Sequence, residues 1–387
     1  MTDKLLWAEV DLSAIAHNTR ELRRITRSEA LLMVGVKADG YGHGAIEVSK
    51  TALLNGADAL GVARLEEGIA LRKAGIHAPI LIFGYTLPKF ADALIEHDLT
   101  QTVYDMAAAK QLSATISGKN KHLKIHIKVD TGMGRLGLLS PDHSEKRLGA
   151  QYTIETLAAI KKIAHLPGLN LEGIFTHFAS SDTLDKSYAE FQFKRFSELL
   201  NDLKSEGVLP ALRHAANSGA IINMPHTHLD MVRAGISLYG LYPSSEVSRD
   251  HLQLAPAMAL RARVIHIKTV PAGFAVSYNS TWQSSTETTL ATVPVGYGDG
   301  FSRSFSNHGQ MLVHGQRAPI VGRVCMDLTL LDVGHIPQVK VGDEVVIFGR
   351  QKNRVLSADE LAACIDTINY EIVSTLTNRV PRIYLRN

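Results

Sequence analysis

Between residues 31 and 239, apolar runs of strand length alternate with segments whose apolar positions recur every three or four residues. The runs fall at 31–37, 58–64, 78–84, 99–105, 122–130, 171–178, 211–215 and 230–239. Helix-like segments at 43–55, 65–74, 88–97, 106–117, 151–166, 185–206 and 217–223 separate them. Strands joined by helical crossovers are parallel. Eight such units predict a TIM-type (β/α)8 barrel over residues 11–243. The alternative, an open dinucleotide-binding sheet, calls for GxGxxG after the first run, and that pattern is absent. Ahead of the barrel, Trp7–Val10 predicts a short strand. Asp11-Leu12-Ser13 then opens a helix, with Asp11 or Ser13 as its cap and Ile15, Leu22 and Ile25 on its apolar face.

Past residue 243 the pattern changes. Pro256, Pro271, Gly273, Pro294, Gly296, Gly298, Gly300, Gly309, Gly315 and Pro319 punctuate short β-branched runs such as Arg263–Ile267, Thr289–Val293 and Glu344–Phe348. This predicts a mostly β C-terminal domain over 244–387, to which the N-terminal strand within 1–10 is added. A helix from Ser357 to about Asp366 opens with a capping box, Ser357 and Glu360.

Composition adds mainly exclusions. A hydrophobic share of 45% with 20% charged residues is that of an ordinary globular chain. The net charge is +3 and no basic block stands out, so nucleic acid is not an expected partner. No apolar run approaches the ~18 residues of a membrane span, and no signal peptide is read in Met1–Leu12. Cys325 and Cys364 form no CxxC pair, so neither a disulfide scaffold nor a metal site is indicated and a reducing, cytoplasmic setting is expected.

The candidate chemistry comes from placing side chains at the C-terminal ends of the strands, where a barrel keeps its active site. Lys37 ends the first run, in VKADGYGHG, with Tyr41 in its loop. Lys128, Asp130 and Arg135 follow the fifth in KVDTGMGRLG, and His177 ends the sixth. His214, Asn217 and Ser218 end the seventh, and Arg233, Gly235, Ile236 and Tyr239 belong to the eighth. A lysine leaving a buried strand can be desolvated enough to condense with an aldehyde. Ser218, with the backbone near Gly235 and Ile236, would make a phosphate site in the loops after strands seven and eight. Lysine and phosphate site together point to pyridoxal 5′-phosphate bound as an imine on Lys37. His177 would support the ring. Arg233 would meet the pyridine nitrogen, and because an arginine cannot accept a proton it would leave that nitrogen neutral. Such a cofactor suits removal and return of a proton at Cα better than transamination. Taken singly, each of these residues has an ordinary reading as surface lysine, buried histidine, ion-pair arginine or helix cap. Their convergence on one barrel mouth is what carries the chemistry.

VKADGYGHG, KVDTGMGRLG, THFASSD, HAANS, VRAGISLYG, VSYNSTW, VGYGDGF and CMD, in this order along nearly the whole chain, resemble the bacterial alanine racemase family. The resemblance implies a homodimer that interconverts L- and D-alanine by two-base proton transfer, supplying D-alanine for peptidoglycan. Lys37 would be one base. Tyr278, which the residue pattern alone does not select, would be the second, supplied by the partner subunit. Arg135 would hold the substrate carboxylate or the cofactor phenolate, and Met326 of the partner subunit would add a backbone amide. Lys128, a lysine carbamylated in some members, would position Arg135. His177 would assist the tyrosine. Tyr41, Ser218, Gly235 and Ile236 would hold the phosphate, Tyr297 would line the substrate entry from the partner side, and Cys325 and Asp327, which flank Met326, would help define the pocket floor. One position departs from the family: Asn378 stands before Arg379 where a tyrosine is common. That change leaves serine/alanine or broader amino-acid racemisation open as the alternative. A related PLP decarboxylase would want an acidic partner for the pyridine nitrogen, and a non-catalytic PLP-binding barrel would leave 244–387 without a use.

Overall fold

The eight strands predicted from the apolar runs close on one another. The computed structural model of the chain describes residues 3–140 and 149–386. Leu31–Gly35 pairs with Ala59–Val62, and the parallel ladder continues through Ile80–Ile82, Thr100–Val103, Leu123–Asp130, Leu169–Phe175, Leu212–His214 and Met231–Ala234. Met231–Ala234 then pairs with Leu31–Gly35, which makes the sheet a barrel. Ala59–Val62 and Ile80–Ile82 are buried along their whole length, as parallel barrel strands tend to be, which is why they read as continuous apolar runs. Met33, Ala59, Leu81, Phe175 and Met231 form one buried cluster drawn from five strands. Strands one and six do not neighbour each other, so this cluster lies inside the barrel. Full burial of each larger apolar side chain contributes roughly 1.5–3 kcal/mol.

The helices fall where their periodicity places them, including Leu65–Lys73, Met106–Ile116, Gly149–Ala164 and Ser187–Ser205. Asp11 rather than Ser13 caps the helix Leu12–Ile25: its Oδ1 accepts the Ser13 N–H at 2.8 Å. The apolar run 230–239 is not one strand. It becomes Met231–Ala234 followed by a 3-10 turn, Ile236–Tyr239. The cause is Ser218, whose Oγ accepts the N–H groups of Gly235 and Ser237 at 2.8 and 3.4 Å and so draws the backbone off the ladder.

The chain divides into two compact units. One comprises residues 14–40 and 45–255; the other comprises 1–13, 41–44 and 256–387. In the second unit a sheet runs Gln316–Pro319, Gln310–Val313, Glu344–Gln351, Met258–Arg263, Leu6–Asp11, Arg382–Leu385. The N-terminal strand lies between Met258–Arg263, antiparallel, and Arg382–Leu385, parallel. The run Arg263–Ile267, read as a single strand, is shared between two sheets, because His266–Val270 pairs with Thr288–Val293 instead. Ser357 caps Ala358–Cys364 as expected, accepting the Glu360 N–H at 3.0 Å. The helix Asn369–Ser374 was not anticipated from the sequence. Among the described residues, no helix is long and apolar enough to cross a membrane.

Candidate active site

The first strand ends at Gly35, and Lys37 opens a turn of unusual hand. Ala38, Asp39 and Gly40 have φ/ψ of 52/50°, 52/49° and 61/46°, and Tyr41 follows at φ 50°. This is a short left-handed helical stretch. L-residues adopt it at a cost of roughly 1–2 kcal/mol each. Strain of this kind persists where neighbours over-determine it, and it collects at functional sites. Three hydrogen bonds hold the turn. Gly40 N–H donates to Val36 O at 2.8 Å, Asp39 Oδ1 accepts the Ala45 N–H at 2.9 Å, and Glu67 Oε1 accepts the Ala38 N–H at 2.6 Å. Under the turn, the buried Tyr239 hydroxyl donates to Gly35 O at 2.8 Å.

Lys37 is half-buried. Burial, then the Arg135 guanidinium, pull its amine below the ordinary lysine range, while Glu67 opposes them. Lys128, on the fifth strand, is 5% exposed. Burial, Arg135 and Arg233 bring its amine down to about 8, against an opposing effect from Asp130. Asp130 also shapes the loop that carries Arg135. Its Oδ1 accepts the Gly132 and Gly134 N–H groups at 2.9 and 3.1 Å, and its Oδ2 accepts that of Arg135 at 3.1 Å. Arg135 itself is exposed.

Arg233, on the eighth strand, is 6% exposed and has four acceptors around its two terminal nitrogens. Its Nη1 donates to His214 Nδ1 at 2.9 Å. Its Nη2 donates to Thr176 O at 2.7 Å, Ala215 O at 3.0 Å and His177 Nδ1 at 3.3 Å. Burial lowers its guanidinium to about 9, which leaves it charged at neutral pH. His177 and His214 are held well below the ordinary histidine range, first by burial and then by Arg233. Phe175 lies among these groups. His214 stacks on its ring at 4.7 Å, and Arg233 and Lys128 lie over it at 5.2 and 5.9 Å. Asn217 caps the short helix Ser218–Asn223 through the Ala220 N–H, which frees Ser218 to meet Gly235.

The barrel mouth therefore gathers Lys37, Lys128, Arg135, Arg233 and His177, with Ser218 and Gly235 brought together on the loops after strands seven and eight. An excess of buried positive charge fits an anionic guest. A lysine with a lowered amine pKa, an arginine that can only donate and a serine–glycine contact at a tight turn fit pyridoxal 5′-phosphate. Three contributors were missed in the sequence. Glu67 and His126 touch the site through other groups, and Phe175 looks like ordinary core. A glutamate at the third position of a helix was the available signal for Glu67, and it reads first as a cap.

The remaining candidates lie in the second unit. Tyr278 occupies the loop between Ala275–Val276 and Trp282–Gln283, a two-stranded hairpin. It is flanked by Ser277 (φ 63°, ψ −171°), Asn279 (φ 61°) and Ser280 (φ 48°), all outside the conformations such residues prefer. Ser277 Oγ anchors the loop by donating to Arg323 O at 2.7 Å. Tyr278 is 68% exposed and Met326 53%, and Tyr297 is also exposed. Tyr297 N–H donates to Cys325 O at 3.1 Å and Gly298 N–H to Met326 O at 2.9 Å, so the two loops are tied together. Arg379 Nη2 donates to Asp327 Oδ1 at 2.7 Å, and its Nε lies 3.4 Å from Asp299 Oδ1. Asn378, beside it, is exposed. Tyr41 belongs to this unit and its ring lies 6.2 Å from that of Tyr370.

The family model for the alanine racemase N-terminal domain matches residues 10–243, and that for the C-terminal domain matches 257–384. The chain belongs to the alanine racemase family. It is 51% identical over 387 residues to an alanine racemase of Desulfosudis oleivorans, covering 99% of this chain and 97% of that protein. An alanine racemase of Methanococcus maripaludis is 47% identical over the full length of both chains. Among solved structures, the alanine racemase of Clostridium difficile 630 superposes with a TM-score of 0.92 at 36% identity, covering 100% of this chain and 97% of that one. The family's two-part architecture, a parallel eight-stranded barrel followed by a mostly β portion, is the one described above.

Proposed function

We propose that this protein interconverts L-alanine and D-alanine with pyridoxal 5′-phosphate, in an active site completed by a second copy of the chain. The observation that carries the reading is the convergence of Lys37, Lys128, Arg135, Arg233 and His177 on one barrel mouth, in a chain of this family. Lys37, His177, Ser218, Gly235, Ile236 and Arg233 would hold the cofactor, with Tyr41 at its phosphate. When bound, the cofactor acidifies the α-proton of an amino acid joined to it.

The residues divide the remaining work. Racemisation takes the α-proton from one face and returns one to the other, so a base is needed on each side. The Lys37 amine, drawn toward its neutral form by burial and Arg135, is the base on its face. Tyr278 of the partner would be the second. Its 68% exposure in one chain, on a strained loop, supports a role completed by association. His177 accepts from Arg233 at Nδ1, so its proton is on Nε2, where it can donate to a phenolate oxygen. Arg135 would take the substrate carboxylate or the cofactor phenolate, and Met326 of the partner subunit would add a backbone amide. The role assigned is supply of D-alanine to the cell wall, and the compartment is the cytoplasm, where the free Cys325 and Cys364 stay reduced.

Chiral chromatography of L-alanine and L-serine, each incubated with purified, PLP-loaded protein, tests the reading. Rapid D-alanine formation with little D-serine supports a dedicated alanine racemase. Comparable D-serine, for which Asn378 is the motivating residue, favours the broader activity. No D-isomer of either overturns the proposal.

A further inference from the structure

Glu67 is the third residue of the helix Leu65–Lys73, and two of its hydrogen bonds belong to that helix start. Its Oε2 accepts the N–H groups of Ala63 and Arg64 at 2.7 and 3.0 Å. A cap explains these. It does not explain Oε1, which accepts the Ala38 N–H at 2.6 Å from a segment 29 positions away. Ala38 follows Lys37 directly and is the first residue of the left-handed turn. Its backbone conformation is one an alanine holds only when something outside the turn fixes it. Glu67 also acts on the Lys37 amine by charge, in the sense opposite to Arg135.

We propose that Glu67 is a positioning residue for Lys37: its carboxylate locks the turn that carries the lysine and offsets the Arg135 charge at the amine. The proposal rests on the reading of Lys37 as the reacting amine. The charged and titratable groups coupled to that amine include, among the described residues, Arg135 from the loop after the fifth strand, Glu67 from the helix after the second, and His177 from the end of the sixth.

Three variants test it: Glu67→Gln, Glu67→Asp and the double variant Ala38→Gly with Glu67→Asp. Glutamine keeps the shape and an acceptor oxygen but removes the charge. Aspartate keeps the charge and loses the reach to Ala38. Glycine adopts the left-handed conformation without strain, so the turn no longer needs the clamp. The first readout needs no activity. Reductive methylation of Lys37 in cofactor-free protein, followed across pH by peptide mass spectrometry, should show a midpoint lowered by about half to one unit in Glu67→Gln. The second is kinetic. Both single variants should lose kcat by roughly tenfold to a hundredfold, as misplacement of a reacting group does, with KM for alanine little changed. The double variant should recover much of the kcat lost in Glu67→Asp.

A cap and nothing more predicts a lower unfolding temperature, an unmoved Lys37 midpoint and no rescue by Ala38→Gly, and that outcome overturns the proposal. Glu66→Gln, on the neighbouring position, should leave every readout unchanged. Wild-type protein that racemises nothing sinks the functional reading instead, while the Lys37 titration still decides the role of Glu67.

Discussion

Arg233 donates from Nη1 to Nδ1 of His214 at 2.9 Å, and this one contact sets the proton positions of an imidazole chain. Arginine has donors and no acceptor, so His214 Nδ1 must be bare and its proton is on Nε2. His214 Nε2 then donates to His126 Nδ1, 2.9 Å away, and His126 carries its own proton on Nε2. The chain runs through the barrel interior, and Gly173 makes room for it: a methyl group there would come within 2.6 Å of the His126 ring. All three members can be satisfied only while both histidines are neutral.

The pH dependence follows from that neutrality. Burial, then Arg233, hold His126 at about 4 against an ordinary 6.5. Between these values the unfolded chain binds a proton that the folded chain refuses, so stability rises with pH through this window and is lost as pH falls from 6.5 toward 4. The contribution of His126 above that window is on the order of 3 kcal/mol. His126→Gln keeps an acceptor for His214 and does not titrate. Denaturant midpoints measured from pH 7 to pH 4 should fall less steeply in that variant than in the wild type. An unchanged slope would remove His126 from the account.

Tyr278 offers a test of the two-base reading. Tyr278→Phe should lower racemisation by roughly 10² to 10⁴ without releasing the cofactor. In deuterated water it should abolish α-exchange from one alanine enantiomer and spare the other. Gly322→Ala should act on the same step from outside. Gly322 has φ +74°, and an added methyl would lie 2.8 Å from Ser277 Cβ, at the base of the tyrosine loop. The expected result is a reduced kcat in a folded protein; symmetric loss of exchange from both enantiomers in Tyr278→Phe would refute the assignment.

Lys128 should react with carbon dioxide. With its amine at about 8, about a tenth is unprotonated at pH 7, and the neutral amine is the nucleophile. A carbamate there forms an N–C bond, releases a proton and places negative charge among Arg135 and Arg233, the two guanidiniums that lower the amine pKa. Carbon-13 NMR of protein in labelled bicarbonate should show a carbamate signal that grows from pH 7 to 8.5 and is missing in Lys128→Met. A spectrum identical in the two proteins would leave Lys128 an ammonium.

Asn378 bears on substrate choice. A polar, exposed amide beside the Arg379–Asp327 pair differs from the tyrosine common at this position. Asn378→Tyr should lower the ratio of serine to alanine turnover by roughly three- to tenfold, a modest effect because an apolar pocket rejects an added hydroxyl only weakly. A ratio that does not move, with both activities intact, would make Asn378 a neutral variation.

The sequence by itself determined the barrel, because parallel strands with buried faces leave apolar runs that alternate with helical segments along the chain. It also determined which strand ends and following loops hold Lys37, Lys128, His177, Ser218 and Arg233, since strand order places them at one mouth. Resemblance, not periodicity, drew out Tyr278. Its loop is short, polar and exposed, and its strained backbone has no compositional mark. Tertiary structure alone decided the left-handed turn after Lys37, the Glu67 clamp, the Arg233–His214–His126 chain and the division of Arg263–Ile267 between two sheets. These depend on hydrogen bonds between segments far apart in the chain. A local pattern records what a residue buries, and it does not record which distant group completes its hydrogen bonds.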